Sequence, residues 1–237
     1  HSNYDGSAAA AALRRPRGDA AGLQTLELAG GRFANAFLRR CTRVQTAQLQ
    51  LLHVDGTVEA TRMSAAALNS SFPAALIVDL RNVRLARDVT ALFCDLRCLR
   101  KLVLSHVRGV DGMPTSFWGS LNNAAFLEEL FVGGSRRLPP LDEVRPEALK
   151  SLRRVVIDDC PRVLNSEGTW QLLWRLPSLA DLTIDFTART AMIAVQALRS
   201  CSVGKRPAIG VRSLKLTGGV RDGSPSGEET GAILAAA

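Results

Sequence analysis

A three-residue apolar template that returns eight times constrains this chain more than any other feature. In LRRVVI, apolar residues stand at Leu152, Val155 and Ile157, at spacings of three and two. The template recurs upstream at Leu23/Leu26/Leu28, Leu49/Leu52/Val54, Ala75/Val78/Leu80, Leu99/Leu102/Leu104 and Leu127/Leu130/Val132. Downstream it recurs at Leu179/Leu182/Ile184 and Val211/Leu214/Leu216. With 46% of residues hydrophobic, a random triplet is all apolar about one time in ten. Eight aligned triplets that hold one Ala and otherwise only Leu, Ile or Val form a repeat. Their middle residues are separated by 24 to 32 positions, near 27 on average.

Residues two apart share one face of a strand, and the residue between them faces the other way. Each triplet therefore predicts a short strand with one apolar face. The connecting segments carry helical spacing: Val89, Leu92, Phe93 and Leu96; Trp170, Leu173 and Trp174; Ile193, Ala197, Leu198 and Cys201. One strand and one helix cannot bury their own apolar faces, so neighbouring units must stack. Trp170, Trp174, Phe93 and Phe117 are then core residues, and Cys41, Cys94, Cys98 and Cys201 read as small buried hydrophobes.

These repeats resemble those of leucine-rich repeat proteins across roughly residues 20–220. LRRVVIDDCPRV is similar to the cysteine-containing, ribonuclease-inhibitor-like subclass, L-x-x-L-x-L-x-x-C-x-x-I. The position six beyond the third apolar residue is itself apolar in six units (Ala34, Ala60, Ala86, Val110, Leu138 and Val163). At the Cys position only Cys160 matches; Gly31, Thr57, Val83, Val107, Ser135, Thr187 and Gly219 stand elsewhere. The side-chain hydrogen-bonding ladder along that edge is therefore expected to be patchy. The Ala- and Arg-heavy composition also resembles the leucine-rich repeat proteins of trypanosomatid protozoa. The resemblance implies an α/β solenoid of about eight repeats, a curved parallel sheet with outer helices, over residues 21–222. Residues 1–20 then read as part of a preceding repeat or a flexible Ala-rich segment, and 223–237 as the start of a further repeat or a tail. Ser226-Gly-Glu-Glu229 before GAILAAA is a capping box that opens a helix.

The remaining composition narrows the classes. No apolar run approaches the ~20 residues that span a bilayer, so no membrane partner is expected, and targeting segments are expected to be either absent or already removed. Five cysteines without a CxxC pair favour reduced thiols and an intracellular, cytoplasmic setting. The net charge of +8 permits an acidic partner without naming one.

If each strand shows its first, third and fifth residues to solvent, the displayed acids are Glu27, Asp55, Asp79, Glu129, Asp158, Asp181 and Asp185. The displayed bases are Arg81, Lys101, Arg154 and Lys215, so seven acids face four bases and this surface carries about −3. The positive excess belongs to the other surfaces, which argues against nucleic acid held on the sheet. Val103, Phe131 and Val156 take the central position in three successive strands and predict an exposed apolar stripe, with Gly133 leaving the Phe131 ring uncovered. Beside it, Asp158, Asp181 and Asp185 form an acidic patch suited to a partner's Lys or Arg, since carboxylates on a flat sheet do not close a metal cage.

The sequence holds no Gly-rich phosphate loop, GxSxG elbow, HExxH or paired-Cys metal motif, so neither catalysis nor a cofactor is expected. The expected function is a non-enzymatic protein–protein interaction scaffold. The partner-binding residues would be Val103, Phe131, Val156, Arg154, Asp158, Asp181 and Asp185. One alternative is a subunit of a large ribonucleoprotein or cytoskeletal assembly, touching RNA or an acidic lattice through Arg39, Arg40, Arg43, Arg97, Arg100, Lys205 and Arg206. A second, carried only by the family resemblance, is the substrate-recognition part of a ubiquitin ligase.

Overall fold

The computed structural model describes residues 24–29, 49–56, 61–63, 74–85, 93, 96–109, 114–185, 187–202 and 211–217. Eleven strands are present among them. They are β1 (Thr25–Ala29), β2 (Leu51–Asp55), β3 (Thr61–Met63), β4 (Ile77–Arg81), β5 (Val83–Leu85) and β6 (Lys101–Ser105), then β7 (Arg108–Gly109), β8 (Glu129–Gly133), β9 (Arg154–Asp158), β10 (Asp181–Asp185) and β11 (Ser213–Thr217). Eight form one sheet in the order β1-β2-β4-β6-β8-β9-β10-β11, and β3-β5-β7 form a second. Every pairing is parallel. The chain is thus a mixed α/β protein built on a large parallel sheet.

The register follows the repeat without a slip. Leu26, Leu52, Val78, Leu102, Leu130, Val155, Leu182 and Leu214 pair in sequence across all eight strands. A one-residue slip would turn a strand's apolar set to water, so the alternation itself pins the pairing. The third apolar residues (Leu28, Val54, Leu80, Leu104, Val132, Ile157 and Ile184) are buried beside them, while Leu216 at the last strand is half-buried.

A feature not read from the sequence sits just beyond the strands. Asn82, His106, Gly134 and Asp159 each follow a strand of the large sheet, and each has a positive φ, between 45° and 57°. Gly, Asn, Asp and His are the residue types that tolerate this left-handed conformation best. Their N–H groups continue the ladder outward: Asn82 N donates to Ser105 O, His106 N to Gly133 O and Gly134 N to Asp158 O. The chain then turns inward, burying Val83, Val107, Ser135 and Cys160.

At that inward position the polar ladder is partial, as expected. Ser135 Oγ accepts the Val107 N–H at 2.9 Å and donates to Gly133 O at 3.0 Å. The Ser135 backbone in turn hydrogen-bonds the Cys160 thiol. Deeper in the connections, Ser120 Oγ accepts from Phe93 N and Thr169 Oγ1 from Leu141 N, each bond spanning about one repeat. Buried hydroxyls thus satisfy backbone donors that no strand or helix reaches.

The connections differ from the expected ring of outer helices. Among the described residues α1 (Pro161–Leu164), α2 (Glu167–Arg175) and α3 (Ala188–Ser202) are α-helical, and Thr115–Asn123 and Pro146–Leu149 are 3₁₀ segments. Trp170 and Trp174 lie buried on α2 with their indole N–H groups bonded to Leu164 O and Ala194 O, and Cys201 is buried on α3. Phe117 is buried but belongs to a 3₁₀ segment, in edge contact with Phe93 and Trp118. That segment, TSFWGSLNN, carries Gly, Ser and Asn, which disfavour an α-helix. Phe93 and Leu96 are buried, whereas Val89 and Leu92 lie outside the described residues. Cys98 departs from its expected burial: it occupies a turn and is exposed. Cys41, Cys94 and the terminal segments 1–20 and 223–237 also lie outside the described residues.

Candidate interaction face

Alternation leaves the first, third and fifth residues of each strand on the face away from the core. One hollow of about 600 Å³ lies on this face and draws lining residues from β2 to β11. At ~4.8 Å per strand, those seven strands span ~29 Å.

Its apolar lining comes from Leu51, Ile77, Val103, Leu130, Phe131 and Val156. Val103, Phe131 and Val156 are direct register partners, so the predicted stripe is contiguous. Exposure along it is uneven, and Val103, expected open, is only 7% exposed, whereas Phe131 and Val156 are half-buried. The role expected for Gly133 is also corrected. A Cβ on Gly133 would stand 2.9 Å from Phe131 Cε1, so the ring lies against the glycine backbone and covers it.

The charged lining comprises Asp79, Arg81, Lys101, Glu129, Arg154 and Lys215. Both acids are already engaged. Asp79 accepts two hydrogen bonds from Arg81, each 3.0 Å, and lies 3.2 Å from His53 Nδ1. These bonds and the carboxylate charge hold the Arg81 guanidinium above its ordinary value. Glu129 meets Lys101 Nζ at 2.8 Å. Among the described residues, Arg154 and Lys215 have no such carboxylate partner, and both are exposed.

The three aspartates read as one acidic patch are separated. Asp181 opens β10 opposite Arg154, at the other end of the strand from Asp185. Four residues at ~3.3 Å place the two about 13 Å apart along the strand. Asp158 and Asp185 end adjacent strands, and none of the three lines the hollow. Four cations and two acids therefore give the hollow +2, although the whole face counts −3.

A second hollow of about 580 Å³ opens at the turn edge, lined in part by Arg136, Asp159, Cys160, Asn165, Asp185 and Arg189. Arg136 Nε donates to both oxygens of Asp159 at 3.0 Å. Burial pushes the Cys160 thiol up to about 12, against the lowering effect of its bond from Ser135, so it is a poor nucleophile. No group of three or more His, Cys, Asp or Glu among the described residues is placed to hold a metal.

Of the basic residues nominated for RNA or an acidic lattice, Arg97 and Arg100 are described and exposed. Arg100 is tied to Glu128 at 2.6 Å. Arg39, Arg40, Arg43, Lys205 and Arg206 lie outside the described residues. No helix among the described residues is long and apolar enough to cross a membrane. No known family profile matches this chain, and neither does any curated protein.

Proposed function

We propose that the chain is a leucine-rich repeat solenoid that works as a non-enzymatic interaction module, holding a protein partner on the sheet face that carries the hollow. One observation carries the reading: Phe131 and Val156 are half-buried yet still reach solvent at the centre of a face that the fold leaves free for polar residues. Apolar side chains sheltered in a shallow hollow and rimmed by charges are the anchors that dominate protein interfaces. The unbroken register of eight apolar rungs supports the solenoid reading, because each rung is the same position of the repeat.

The test is affinity capture with quantitative mass spectrometry, comparing the native chain with Phe131→Ser/Val156→Ser. Both side chains point away from the core but are half-buried, so the double variant should stay folded with a modestly lowered urea midpoint. A set of proteins present with the native chain and lost with the variant is the expected result. Equal recovery by a folded variant would remove this face as the interface.

A further inference from the structure

We infer that the segment seated in the sheet hollow is acidic as well as apolar: a partner peptide that places a large apolar side chain on Phe131 and Val156 and carboxylates on Arg154 and Lys215. This rests on the reading of the face as a protein interface and adds the chemistry of its occupant.

Every acid in the lining is already matched, Asp79 by Arg81 and Glu129 by Lys101. The lining charges that make no ion-pair contact among the described residues are both cations, Lys215 and Arg154, although Arg154 has Glu129 and Asp181 as its register neighbours. A basic segment entering the hollow would meet these two cations and find the lining carboxylates occupied, a like-charge juxtaposition that interfaces avoid. Of the remaining acids, Asp181 flanks Arg154 outside the hollow, and Asp158 and Asp185 stand at the other strand ends.

The spacing defines the ligand further. Arg154 stands two residues before Val156 on β9, hence about 7 Å from it along the strand. Lys215 shares the central row with Phe131 three strands away, about 14 Å. A chain lying across the strands at ~3.3 Å per residue covers that distance in about four residues. The occupant is therefore an extended segment with an apolar residue, one carboxylate close to it and another about four residues on. The trough crosses seven strands, which suits an extended chain better than a compact small molecule.

The experiment selects peptides from a displayed library of random linear sequences on the full chain and then measures the winners by fluorescence anisotropy at two salt concentrations. Asp- and Glu-bearing peptides with a large apolar residue should be enriched. Their affinity should fall about tenfold or more with Arg154→Glu/Lys215→Glu and weaken with salt. The milder Arg154→Gln/Lys215→Gln should give a smaller loss in the same direction, and circular dichroism establishes that each variant is folded. Enrichment of Lys- or Arg-rich peptides that need Phe131 and Val156 would overturn the acidic assignment while leaving the interface in place. Acidic peptides insensitive to Phe131→Ser/Val156→Ser would overturn the interface itself. No enrichment, with binding of an anionic amphiphile such as dodecanoate to the native chain alone, would make the hollow a small-molecule site and end the proposal.

Discussion

Replacing Gly134 by Ala tests the left-handed turn that follows four strands of the large sheet. Gly134 has φ +57°, and a Cβ there would lie 2.5 Å from His106 Nε2. Two separable costs follow. Left-handed backbone costs a residue with a Cβ about 1–2 kcal/mol. The clash obliges the His106 ring to leave its position, where Nδ1 lies 2.9 Å from Ser105 Oγ, and a lost hydrogen bond costs about 1 kcal/mol. Together these give about 2–3 kcal/mol for Gly134→Ala. The ring is exposed and free to swing outward, so the clash adds little more. Gly134→Ala/His106→Gly removes the clash and keeps the strain at 134, because Gly also tolerates the φ of 53° at position 106. Gly134→Asn/His106→Gly also lowers the strain, since Asn82 holds the same place in another rung. Urea unfolding, followed by circular dichroism at constant m-value, should rank stability as native, then the Asn double variant, then Gly134→Ala. A neutral Gly134→Ala would show that the left-handed turn is not required. Losses from Gly134→Ala and His106→Gly that simply add in the double variant would exclude steric coupling between the two positions.

Two further outcomes probe the turn edge. Ser135→Ala strips the buried Val107 N–H of its acceptor and should cost about 1–3 kcal/mol in urea unfolding, whereas a loss under 0.5 kcal/mol would mean the ladder is dispensable. For Cys160, the folded thiol stands at about 12 against an ordinary 9.0, so the unfolded chain loses its proton first as pH rises. The stabilisation from the buried neutral thiol is complete below pH 9 and is lost progressively toward pH 12, by about 1.4 kcal/mol at pH 10. Measured unfolding free energies of the native chain should therefore fall more steeply above pH 9 than those of Cys160→Ala. At pH 8, iodoacetamide mapped by mass spectrometry should mark Cys98 and spare Cys160 in the folded chain; equal labelling would contradict the burial.

The core was legible because its signal is local. Leu-x-Leu forces two side chains onto one face, and a fixed interval brings equivalent triplets side by side, so Leu26 and Leu214 could be placed on one sheet without knowing what lies between them. The connections were less legible because apolar spacing does not fix how tightly a segment coils. The longest interval, from Leu182 to Leu214, accommodates the fifteen-residue α3, whereas Leu130 to Val155, with Pro139, Pro140 and Pro146, leaves room for a single 3₁₀ turn. The left-handed positions were hidden because Asn82, His106, Gly134 and Asp159 share a backbone tolerance rather than a chemistry. The face was half legible. Its residues were placed correctly on the strands, but ion pairing and the outline of the hollow depend on side-chain reach, and these turn a nominally acidic face into a cationic hollow.

The repeat imposes demands at several positions and leaves the others open. Inward strand positions require Leu, Ile or Val, and in four of the repeats the residue after the strand takes a left-handed conformation and the next is buried. Nothing in that scheme asks for Phe at 131 or Val at 156, and a polar residue at either would leave every rung in register. The charged pairs around them, Lys101–Glu129 and Arg81–Asp79, are half-exposed and contribute at most about 1 kcal/mol each to stability. Those pairs nonetheless neutralise every acid in the hollow and leave Arg154 and Lys215 open. An arrangement the fold does not need, with partly exposed apolar surface beside two cations that make no ion-pair contact, is the reason the proposed partner is assigned to this hollow rather than to the acidic strand ends or the basic outer surface.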